Sequence, residues 1–581
     1  MERSDLAGAQ GGEESGERGS RPGLARRLLR WSLWGLLALV VGFGGFLGWV
    51  RATCFASPPE LDAPTAILAE ELVEEPDGRR RLGASWFLER PGHSLLYLEG
   101  EPYDLGYANA RLTSDWMRQQ EEALISTVRG FLPSQLQFWG VTLLVLTNNR
   151  SLPDYVPREY QLEIRGLAEG SEDPFPDFGP RYHRILNYHA AHDISHWVWD
   201  KPVVGCNALA AAGEWTPDGH LVVGRNFDFE AGRLFDTHKI IGLYRPESGH
   251  AFLSVAWPGM AGAVTGINEQ RLFCSINGAH SADRGRIGTP ASLVVRQVLQ
   301  YAGTLEEAVA IIREAQVFVA DSYLLADGKS GRAVVVEKTP ARSGVREMED
   351  GLLLQSNHFL SEELADDAGN LEYMEVGTSL ARGRRLEELA RGARGELSPR
   401  RVVEVLRDRR AAGGGELCSG NRAAINAMIA THSVVADVSE GVLWVSRGPH
   451  QLGEYDAYRI EDFGEPAGET FPADPILKGG SYEDLLAARK YLEKAPRYLE
   501  EEKNSFLARL VVEKALDLVP RYPEAWTLMA ELHEAEGDLP AALDAYRKAL
   551  EAVPPFPRER RAIEAAIERL AAQEPGSGAD R

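Results

Sequence analysis

The stretch Gly205-Cys206, followed one strand and a turn later by Gly224-Arg225-Asn226-Phe227-Asp228-Phe229, decides the fold prediction. Cys206 follows the apolar run Pro202-Val203-Val204 and leads into Leu209-Ala210-Ala211-Ala212, a setting typical of a residue that becomes a new amino terminus. When the Gly205–Cys206 peptide bond breaks, Cys206 holds both a thiol nucleophile and, in its freed α-amine, the base that activates the thiol. The sequence therefore predicts self-cleavage between residues 205 and 206.

The composition is that of a globular protein with room for more than one domain, because the chain has 581 residues of which 44% are hydrophobic. Its formal net charge of -23 repels nucleic acid, and no basic stripe in the body of the chain offsets that charge. We therefore expect no nucleic-acid partner. The four cysteines are too few for a disulfide framework and lack the paired spacing of a zinc site; they are Cys54, Cys206, Cys274 and Cys418.

Residues 31–50 form an uncharged apolar stretch that, as a helix, has a length of roughly 30 Å, the thickness of the hydrocarbon layer of a membrane. Arg51 alone follows this stretch directly, whereas five arginines precede it: Arg18, Arg21, Arg26, Arg27 and Arg30. Because positive charge favours the cytoplasmic side, this asymmetry predicts a single-pass membrane protein with a cytoplasmic amino terminus and a periplasmic or extracellular catalytic domain.

Two alternatives compete with a membrane anchor. A cleaved signal peptide is disfavoured by the length of the apolar stretch and by the lack of a clean small-x-small site after it. A lipoprotein signal ending at Cys54 is disfavoured by Arg51-Ala52-Thr53, which is a poor context for lipidation. The uncleaved anchor is the preferred interpretation.

The remaining chain divides by composition. Residues 1–30 are predicted to be a disordered cytoplasmic tail, and residues 51–80, which are proline-rich near their start, a stiff linker. A catalytic domain is predicted over residues 81–470 and a separate helical segment over residues 481–572. Within the catalytic domain, residues 97–205 are predicted to be mainly helical, with the apolar run Val141 to Leu146 as core.

From Cys206 onward, short β-rich runs separated by turn signals predict a mixed, layered αβ sandwich of the α+β class. The predicted strands are Leu221–Val223, Lys239–Tyr244, Ala263–Thr265, Leu272–Ile276, Ala333–Val336, Leu352–Leu354 and Val442–Val445. The predicted helices between them are Pro290–Tyr301, Leu305–Glu314 and Ser379–Arg391.

The carboxyl-terminal segment resembles a tetratricopeptide repeat, with small, aromatic and terminating residues at the expected places. The residues that carry this resemblance are Trp526, Ala530, Gly537, Ala542, Tyr546, Ala549 and Pro554. Ala515 and Pro520 match the end of a preceding repeat. Such helix pairs stack to bury one face, so the segment is predicted either to cap the catalytic domain or to dock a protein partner.

Several motifs, in order over roughly residues 95 to 450, resemble the penicillin acyltransferase-like cysteine peptidases of the N-terminal nucleophile hydrolase superfamily. They are Gly100 to Tyr107, Gly205-Cys206, Gly224 to Phe229, Gly266 to Glu269 running to Asn277, Ser356 to Phe359, Ser379 with Arg382 and Arg385, and Thr431 to Val435. The resemblance implies a four-layer αββα sandwich. Relatives usually have Thr or Ser directly after the nucleophile, where this chain has Asn207.

The resemblance also implies a role for each site residue. Cys206 is the nucleophile and Gly205 the scissile residue, whose lack of a side chain suits a strained backbone. Asp228 holds the freed α-amine or the substrate amide, and Arg225 favours the thiolate; the alternative for this pair is a surface ion pair on a β-turn. Asn357 is the first candidate for the oxyanion donor.

Two further residues are assigned supporting roles. Asn277 is the second candidate for the oxyanion donor, the alternative being an asparagine in a turn. Arg382, one helical turn after Ser379, supports the site or is an ordinary surface arginine.

One face of a predicted helix carries three histidines, His189, His192 and His196, which suggests a metal site. No carboxylate or cysteine of fitting spacing completes the set, because Asp193 is predicted to project elsewhere. Packing or pocket lining is therefore the preferred role, and neither a metal nor another cofactor is expected.

The sequence as a whole predicts a membrane-anchored, self-processing hydrolase that cleaves the carbon–nitrogen amide bond of an acylated small molecule or lipid through a thioester. The first alternative is an acyl-coenzyme A-dependent N-acyltransferase, which is disfavoured because the predicted topology separates the catalytic domain from that donor. The second is a non-catalytic scaffold carrying the tetratricopeptide-like segment, which the intact set of candidate site residues disfavours.

Overall fold

The computed structural model describes residues 22–132, 134–198, 205–230 and 232–573, and the chain forms two compact units, 1–55 and 56–581. In the first unit, helix α1 covers Pro22–Thr53. By length and composition its part from Arg27 to Thr53 is able to cross a membrane, a property that it shares with signal sequences. The helix begins before residue 31, so residues 22–30 of the predicted disordered tail are helical, while residues 1–21 lie outside the described residues.

The second unit contains two β-sheets. Their strands are β1 (Val73–Glu74), β2 (Arg79–Leu82), β3 (Ser85–Leu88), β4 (Ser94–Gly100), β5 (Asn207–Ala211), β6 (Val222–Asp228), β7 (Ile240–Pro246), β8 (Phe252–Ala256), β9 (Thr265–Asn268), β10 (Leu272–Gly278), β11 (Asp321–Asp327), β12 (Arg332–Lys338), β13 (Ser343–Glu347), β14 (Leu352–Gln355), β15 (Ala430–Asp437), β16 (Val442–Ser446) and β17 (Tyr455–Tyr458). The larger sheet has the order β1-β2-β3-β4-β7-β8-β9-β10-β11-β12-β13, and the smaller has the order β14-β5-β6-β15-β16-β17. Strands β4 and β7 pair in parallel.

Helices account for most of the remaining chain of this unit. They are α2 (Pro102–Leu112), α3 (Ser114–Phe131), α4 (Gln135–Asn148), α5 (Arg158–Gly170), α6 (Arg181–His189), α7 (Ala191–Val198), α8 (Leu234–Thr237), α9 (Ala291–Tyr301), α10 (Leu305–Glu314), α11 (Ala368–Val376), α12 (Ser379–Gly392), α13 (Pro399–Leu406), α14 (Ser481–Leu492), α15 (Ser505–Leu518), α16 (Pro523–Glu536), α17 (Leu539–Glu551) and α18 (Pro557–Ala571).

The two sheets share one apolar cluster, which joins side chains such as Leu243 and Val335 of the larger sheet to Val223 and Val434 of the smaller. A second cluster packs α2, α9 and α10 on strands of the larger sheet. A third packs α12 and α13 on the smaller sheet. Since each sheet is covered by apolar side chains on both faces, its central strands are buried throughout, and polar residues within them are held away from bulk water.

The predicted strands and helices are present, most of them with shifted bounds, and two further expectations are wrong. The folded body begins before residue 81, because β1 and β2 extend the larger sheet and Ile67 is buried in the core cluster that includes α2 and α9. The run Val141 to Leu146 is not core: it belongs to α4, where Leu144 is 49% exposed and Phe138 is the buried residue.

The carboxyl-terminal helices α14 to α18 share one apolar cluster, which includes Ala515, Ala530, Ala542, Tyr546 and Ala549. Gly537 ends α16 in the left-handed conformation, at φ 82°, where glycine carries no steric penalty. The small residues that the sequence singled out are therefore buried between helices.

Candidate active site

Five elements converge on the Gly205–Cys206 bond, and they bring together all the residues that the sequence singled out as a site. Cys206 directly precedes β5, and Arg225 and Asp228 lie on the neighbouring strand β6. The other elements are the end of β10, the segment after β14 and helix α12; they carry Asn277, Asn357 and Arg382. The Gly205 amide donates to the backbone oxygen of Asp228 at 3.2 Å, and the Cys206 thiol donates to the same oxygen at 3.7 Å.

Arg382 is the centre of the hydrogen-bond network. Its Nη1 donates to the carbonyl oxygens of Gly205 and Cys206, both at 2.7 Å, and to Oδ1 of Asn207 at 2.9 Å. Its Nη2 donates to Oδ1 of Asn357 at 2.8 Å. The guanidinium is fully buried, and this burial lowers its pKa. Arg382 thus connects the Gly205 carbonyl, at the predicted cleavage point, to the candidate oxyanion donor.

Asp228 presents its carboxyl group to Gly205. A Cβ atom at Gly205 would lie 3.2 Å from Oδ2 of Asp228, which is tighter than most side-chain contacts, so the missing side chain permits this approach. Neither carboxyl oxygen has a hydrogen-bond partner among the described residues, and both are buried. Burial raises the pKa of Asp228 to about 7, while Arg382 opposes the rise. An unpaired buried carboxyl beside the scissile bond is ready to receive a cation there.

Arg225 is a buried cation next to the sulfur. Its guanidinium donates to the backbone oxygens of Val264 and Ile276, to Thr265 Oγ1 and to His432, all of them uncharged acceptors. Burial lowers the pKa of Arg225 to about 10, which leaves it charged at neutral pH. This is not the surface ion pair considered as an alternative.

Cys206 is fully buried in the uncleaved chain, and desolvation raises the pKa of its thiol. The positive charge of Arg225 works in the opposite direction and lowers the pKa of the thiol. The thiol is therefore a weak nucleophile before cleavage, and a freed α-amine beside it would supply the missing base.

The two candidate asparagines both lie at the site and differ in their bonding. Asn357 donates through Nδ2 to the Gly278 oxygen at 2.7 Å, and its backbone amide donates to Ser379 Oγ at 2.8 Å. Asn277 donates through Nδ2 to the Ser356 oxygen at 3.3 Å, while its Oδ1 is buried without a partner in the described part of the chain. Each amide nitrogen keeps a second hydrogen for a further acceptor.

One residue of the site was recognised only as a departure from the pattern of relatives. Asn207 lies opposite Asn226 at the start of β5, and its Nδ2 donates to the Gly205 oxygen at 3.1 Å. The signal in the sequence was a polar side chain directly after the nucleophile at the beginning of a buried strand. Its contact with the scissile carbonyl required the structure.

Two of the three histidines considered for a metal site have other partners. Nδ1 of His189 lies 2.8 Å from the backbone oxygen of Ile185, and its Nε2 accepts a hydrogen bond from the Ala261 amide at 2.8 Å. His192 contacts Oδ1 of Asp321 at 3.0 Å. The side chain of His196 lies outside the described residues. Asp193 accepts from the Ala291 amide at 3.2 Å.

Another group in the described part of the chain has the composition of a cation site. Asp218, His220 and Asp437 hold their ligand atoms within 4.8 Å of one another. Asp437 pairs with Val222 at the start of β6, at the opposite end of that strand from Asp228. The group is therefore separate from the candidate active site.

A family model described as acyl-coenzyme A:6-aminopenicillanic acid acyl-transferase matches residues 215–441. The match includes Arg225, Asp228, Asn277, Asn357 and Arg382, and it begins after Cys206. The chain is therefore similar to that family over the strands and helices that carry most of the site.

Two similar proteins come from Archaeoglobus fulgidus and Dictyostelium discoideum. An uncharacterized protein of Archaeoglobus fulgidus is 27% identical over 308 residues, which cover 47% of this chain and 51% of the relative. Protein dcd1A of Dictyostelium discoideum is 23% identical over 244 residues, which cover 37% of this chain and 51% of the relative. The chain thus spans about half the length of these relatives.

Solved structures give weaker similarities. An N-acylethanolamine-hydrolyzing acid amidase ortholog of Caenorhabditis elegans has a TM-score of 0.31 and 16% identity, covering 40% of this chain and 93% of the other. Penicillin V acylase from Agrobacterium tumefaciens has a TM-score of 0.28 and 15% identity, covering 43% and 84%. A variant of conjugated bile acid hydrolase from Clostridium perfringens has a TM-score of 0.31 and 14% identity, covering 46% and 97%.

Proposed function

We propose that this protein is a self-processing N-terminal cysteine hydrolase with a four-layer αββα sandwich, acting on the carbon–nitrogen amide bond of an acylated small molecule or lipid. One observation carries the proposal. Cys206 lies directly after a glycine whose carbonyl accepts a hydrogen bond from Arg382, and the charges of Arg225, Asp228 and Arg382 act on its thiol. Arg382 also donates to Asn357. A buried cation close to the sulfur and a glycine carbonyl directly before it are features of a nucleophile's site, although burial raises the pKa of the thiol in the uncleaved chain.

Processing begins with attack of the Cys206 sulfur on the Gly205 carbonyl carbon. The C–N bond then breaks, the nitrogen takes up a proton, and water hydrolyses the resulting thioester. The products are a Gly205 carboxylate and a free α-amine and thiol on Cys206. Asp228, whose unpaired carboxyl lies against Gly205, would accept the new α-ammonium group as an ion-pair partner.

Amide hydrolysis reuses the same sulfur. The α-amine of Cys206 takes the thiol proton, and Arg225 stabilises the thiolate by its charge. The thiolate attacks the substrate carbonyl, and the second hydrogen of Asn357 Nδ2 stabilises the oxyanion, with Asn277 as the other candidate donor. The leaving amine takes the proton from the α-ammonium, and water then cleaves the thioester.

The membrane-anchored lipid amidase is one form of this proposal and acyl transfer is the other. Helix α1 is able to cross a membrane, which places a lipid or acylated small molecule within reach of an anchored enzyme. The description of the matching family favours an acyl-coenzyme A donor and an amine acceptor. The tetratricopeptide-like segment, α14 to α18, would dock a protein partner or cap the catalytic domain.

The processing proposal predicts two chains in the purified protein, one ending at Gly205 and the other starting at Cys206. Cys206→Ala should remain a single chain of 581 residues, because it has no thiol to attack the Gly205 carbonyl. Intact-mass measurement under denaturing conditions distinguishes the two results.

Cys274→Ala is the matched control, since Cys274 is equally buried on β10 and lies away from a scissile glycine. It should be processed like the natural chain. Cleavage that persists in Cys206→Ala would point to an outside protease and refute self-processing. The processed protein is then offered acyl amides alone, or acyl-coenzyme A with amines; product formed only with coenzyme A thioesters would replace hydrolysis by transfer.

A further inference from the structure

The carbonyl oxygen of Gly205 accepts hydrogen bonds from two buried side chains. Arg382 Nη1 donates at 2.7 Å and Asn207 Nδ2 at 3.1 Å. Both side chains belong to residues with no exposed surface. In the proposed processing reaction this oxygen becomes negatively charged when the Cys206 sulfur adds to its carbon.

The orientation of the Asn207 amide is fixed by its neighbours. A guanidinium has only donors, so the Asn207 atom 2.9 Å from Arg382 Nη1 must be the oxygen. Ser356 Oγ also donates to that oxygen, at 3.4 Å. The amide nitrogen therefore faces the Gly205 oxygen. A flipped amide would set donor against donor at Arg382 and acceptor against acceptor at Gly205.

We propose that Asn207 and Arg382 form an oxyanion hole dedicated to self-cleavage, distinct from the donor that serves the amide substrate. The inference rests on the proposed self-processing function. Fixed donors at 2.7 and 3.1 Å, in a site without solvent exposure, stabilise a developing oxyanion strongly because nothing has to reorient during the reaction. Asn357 is left for the substrate, since its own bonds are to Gly278 and Arg382.

The step is balanced in atoms and charge. A C–S bond forms between Cys206 and Gly205, and the carbonyl electron pair moves to the Gly205 oxygen, where Arg382 and Asn207 stabilise it. Collapse breaks the C–N bond, and the Cys206 nitrogen takes the proton that the thiol has lost. Water then adds to the thioester carbonyl and releases the thiol, which leaves Gly205 as a carboxylate.

The position of Asn207 explains how an asparagine is able to replace the Thr or Ser that usually follows the nucleophile. Its side chain reaches back two residues to the Gly205 oxygen, a local contact that Asn makes readily. Thr or Ser, which relatives usually have at this place, also carries a side-chain donor. The departure from the pattern thus keeps a hydrogen-bond donor next to the scissile carbonyl.

The test compares Asn207→Thr with Asn207→Val in the full-length chain. The two side chains have nearly the same shape and suit a strand, but only threonine has a hydroxyl donor. Cleavage is followed by intact mass after synthesis. Asn207→Val should be cleaved at least about a hundredfold more slowly than the natural chain, the usual loss of one oxyanion donor, and Asn207→Thr should recover most of the rate.

As a control for folding, the thermal unfolding of each Asn207 variant is measured in the uncleavable Cys206→Ala background. Asn207→Asp keeps the shape of the side chain and the hydrogen bond from Arg382 but loses the donor to Gly205, so its cleavage should also be slow. If the valine variant does not fold, the cleavage rate of Asn207→Asp tests the proposal instead. Equal cleavage rates in the natural chain and in folded Asn207→Val or Asn207→Asp overturn the oxyanion hole while self-processing stands. A natural chain that is never cleaved overturns both.

Discussion

At the scale of single residues, the buried carboxyl group of Asp228 lowers the free energy of unfolding of the uncleaved chain at neutral pH. Its carboxyl is fully buried, has no hydrogen-bond partner among the described residues, and has a pKa raised to about 7 by burial. An unfolded aspartate titrates near pH 3.9. The folded chain therefore binds the proton more tightly than the unfolded chain, and the free energy of unfolding falls as pH rises from about 4 to about 7.

We expect Asp228→Asn, made in the Cys206→Ala background, to stabilise the protein at pH 8 and to leave it almost unchanged at pH 4. The difference between the two pH values should be up to about 4 kcal/mol, which is what about three pKa units represent. Urea unfolding at both pH values measures it. The exposed Asp366 is the control, because Asp366→Asn should change little at either pH.

An Asp228→Asn variant that is equally destabilised at both pH values would show that the carboxylate is compensated in the folded chain. Partial compensation by Arg382, which opposes the rise in the pKa of Asp228, would reduce the difference without changing its sign. A loss of unfolding free energy at Asp228 is expected of a carboxyl group that is placed for function rather than for stability.

The sequence was enough to predict which residue types meet at the site but not how they are connected. Arg382 and Arg385 lie on the same helix and both are buried, yet Arg385 pairs with Asp408 while Arg382 reaches the Gly205 carbonyl. Helical periodicity cannot separate them, because the outcome depends on how α12 packs on the smaller sheet. The same holds for Asn207, whose amide is oriented by a residue 175 positions away.

At the scale of elements, α2 and α5 approach each other through glycines. A Cβ atom on Gly166 would overlap the Tyr103 oxygen and lie 2.6 Å from the Tyr107 nitrogen, and both of those atoms are backbone. Gly106 faces the α5 backbone in the same way. Gly106 belongs to the Gly100 to Tyr107 motif, and its missing side chain permits the packing of α2 on α5.

Gly166→Ala should destabilise the protein by about 1–3 kcal/mol, because backbone atoms cannot yield to the added methyl group. Gly140→Ala is the matched control. Gly140 also lies inside a helix, α4, and has nothing within 4 Å of the added atom, so the substitution should be neutral or stabilise by up to about 1 kcal/mol. Thermal or urea unfolding compares the two. A neutral Gly166→Ala would mean that the two helices separate easily.

Element types were predictable where local pattern and burial agree. Leu305–Glu314 was predicted with the bounds that the structure shows, and Thr304 and Glu307 form a capping box at its start. Strands such as β8, β11 and β15 were not predicted, and burial on both faces, which removes the alternation that identifies a strand, made them harder to recognise. The exposed apolar helix α4 was misassigned to the core because hydrophobicity alone does not show what covers a segment.

At the scale of the whole molecule, the proposed cleavage would not separate the protein into independent parts. The segment before Gly205 supplies β1 to β4 to the larger sheet, and β4 pairs with β7 from the other side of the bond through seven residues of register. Helices α2 and α9 share one apolar cluster across the same division. Burial and main-chain hydrogen bonds therefore hold both products in one fold, so cleavage frees Cys206 without dismantling its site.

We propose that charge sets the orientation of the chain in a membrane. Because arginines are in excess before residues 31–50, a protease added to intact cells should digest the chain after Val50 and spare an epitope tag at the amino terminus. Permeabilised cells, in which both parts are digested, provide the control. Replacing Arg26, Arg27 and Arg30 by serine while placing arginines at 52 and 53 should invert this protection pattern. Protection of the catalytic domain in the natural chain would reverse the proposed topology, and coenzyme A thioesters would then be accessible as acyl donors.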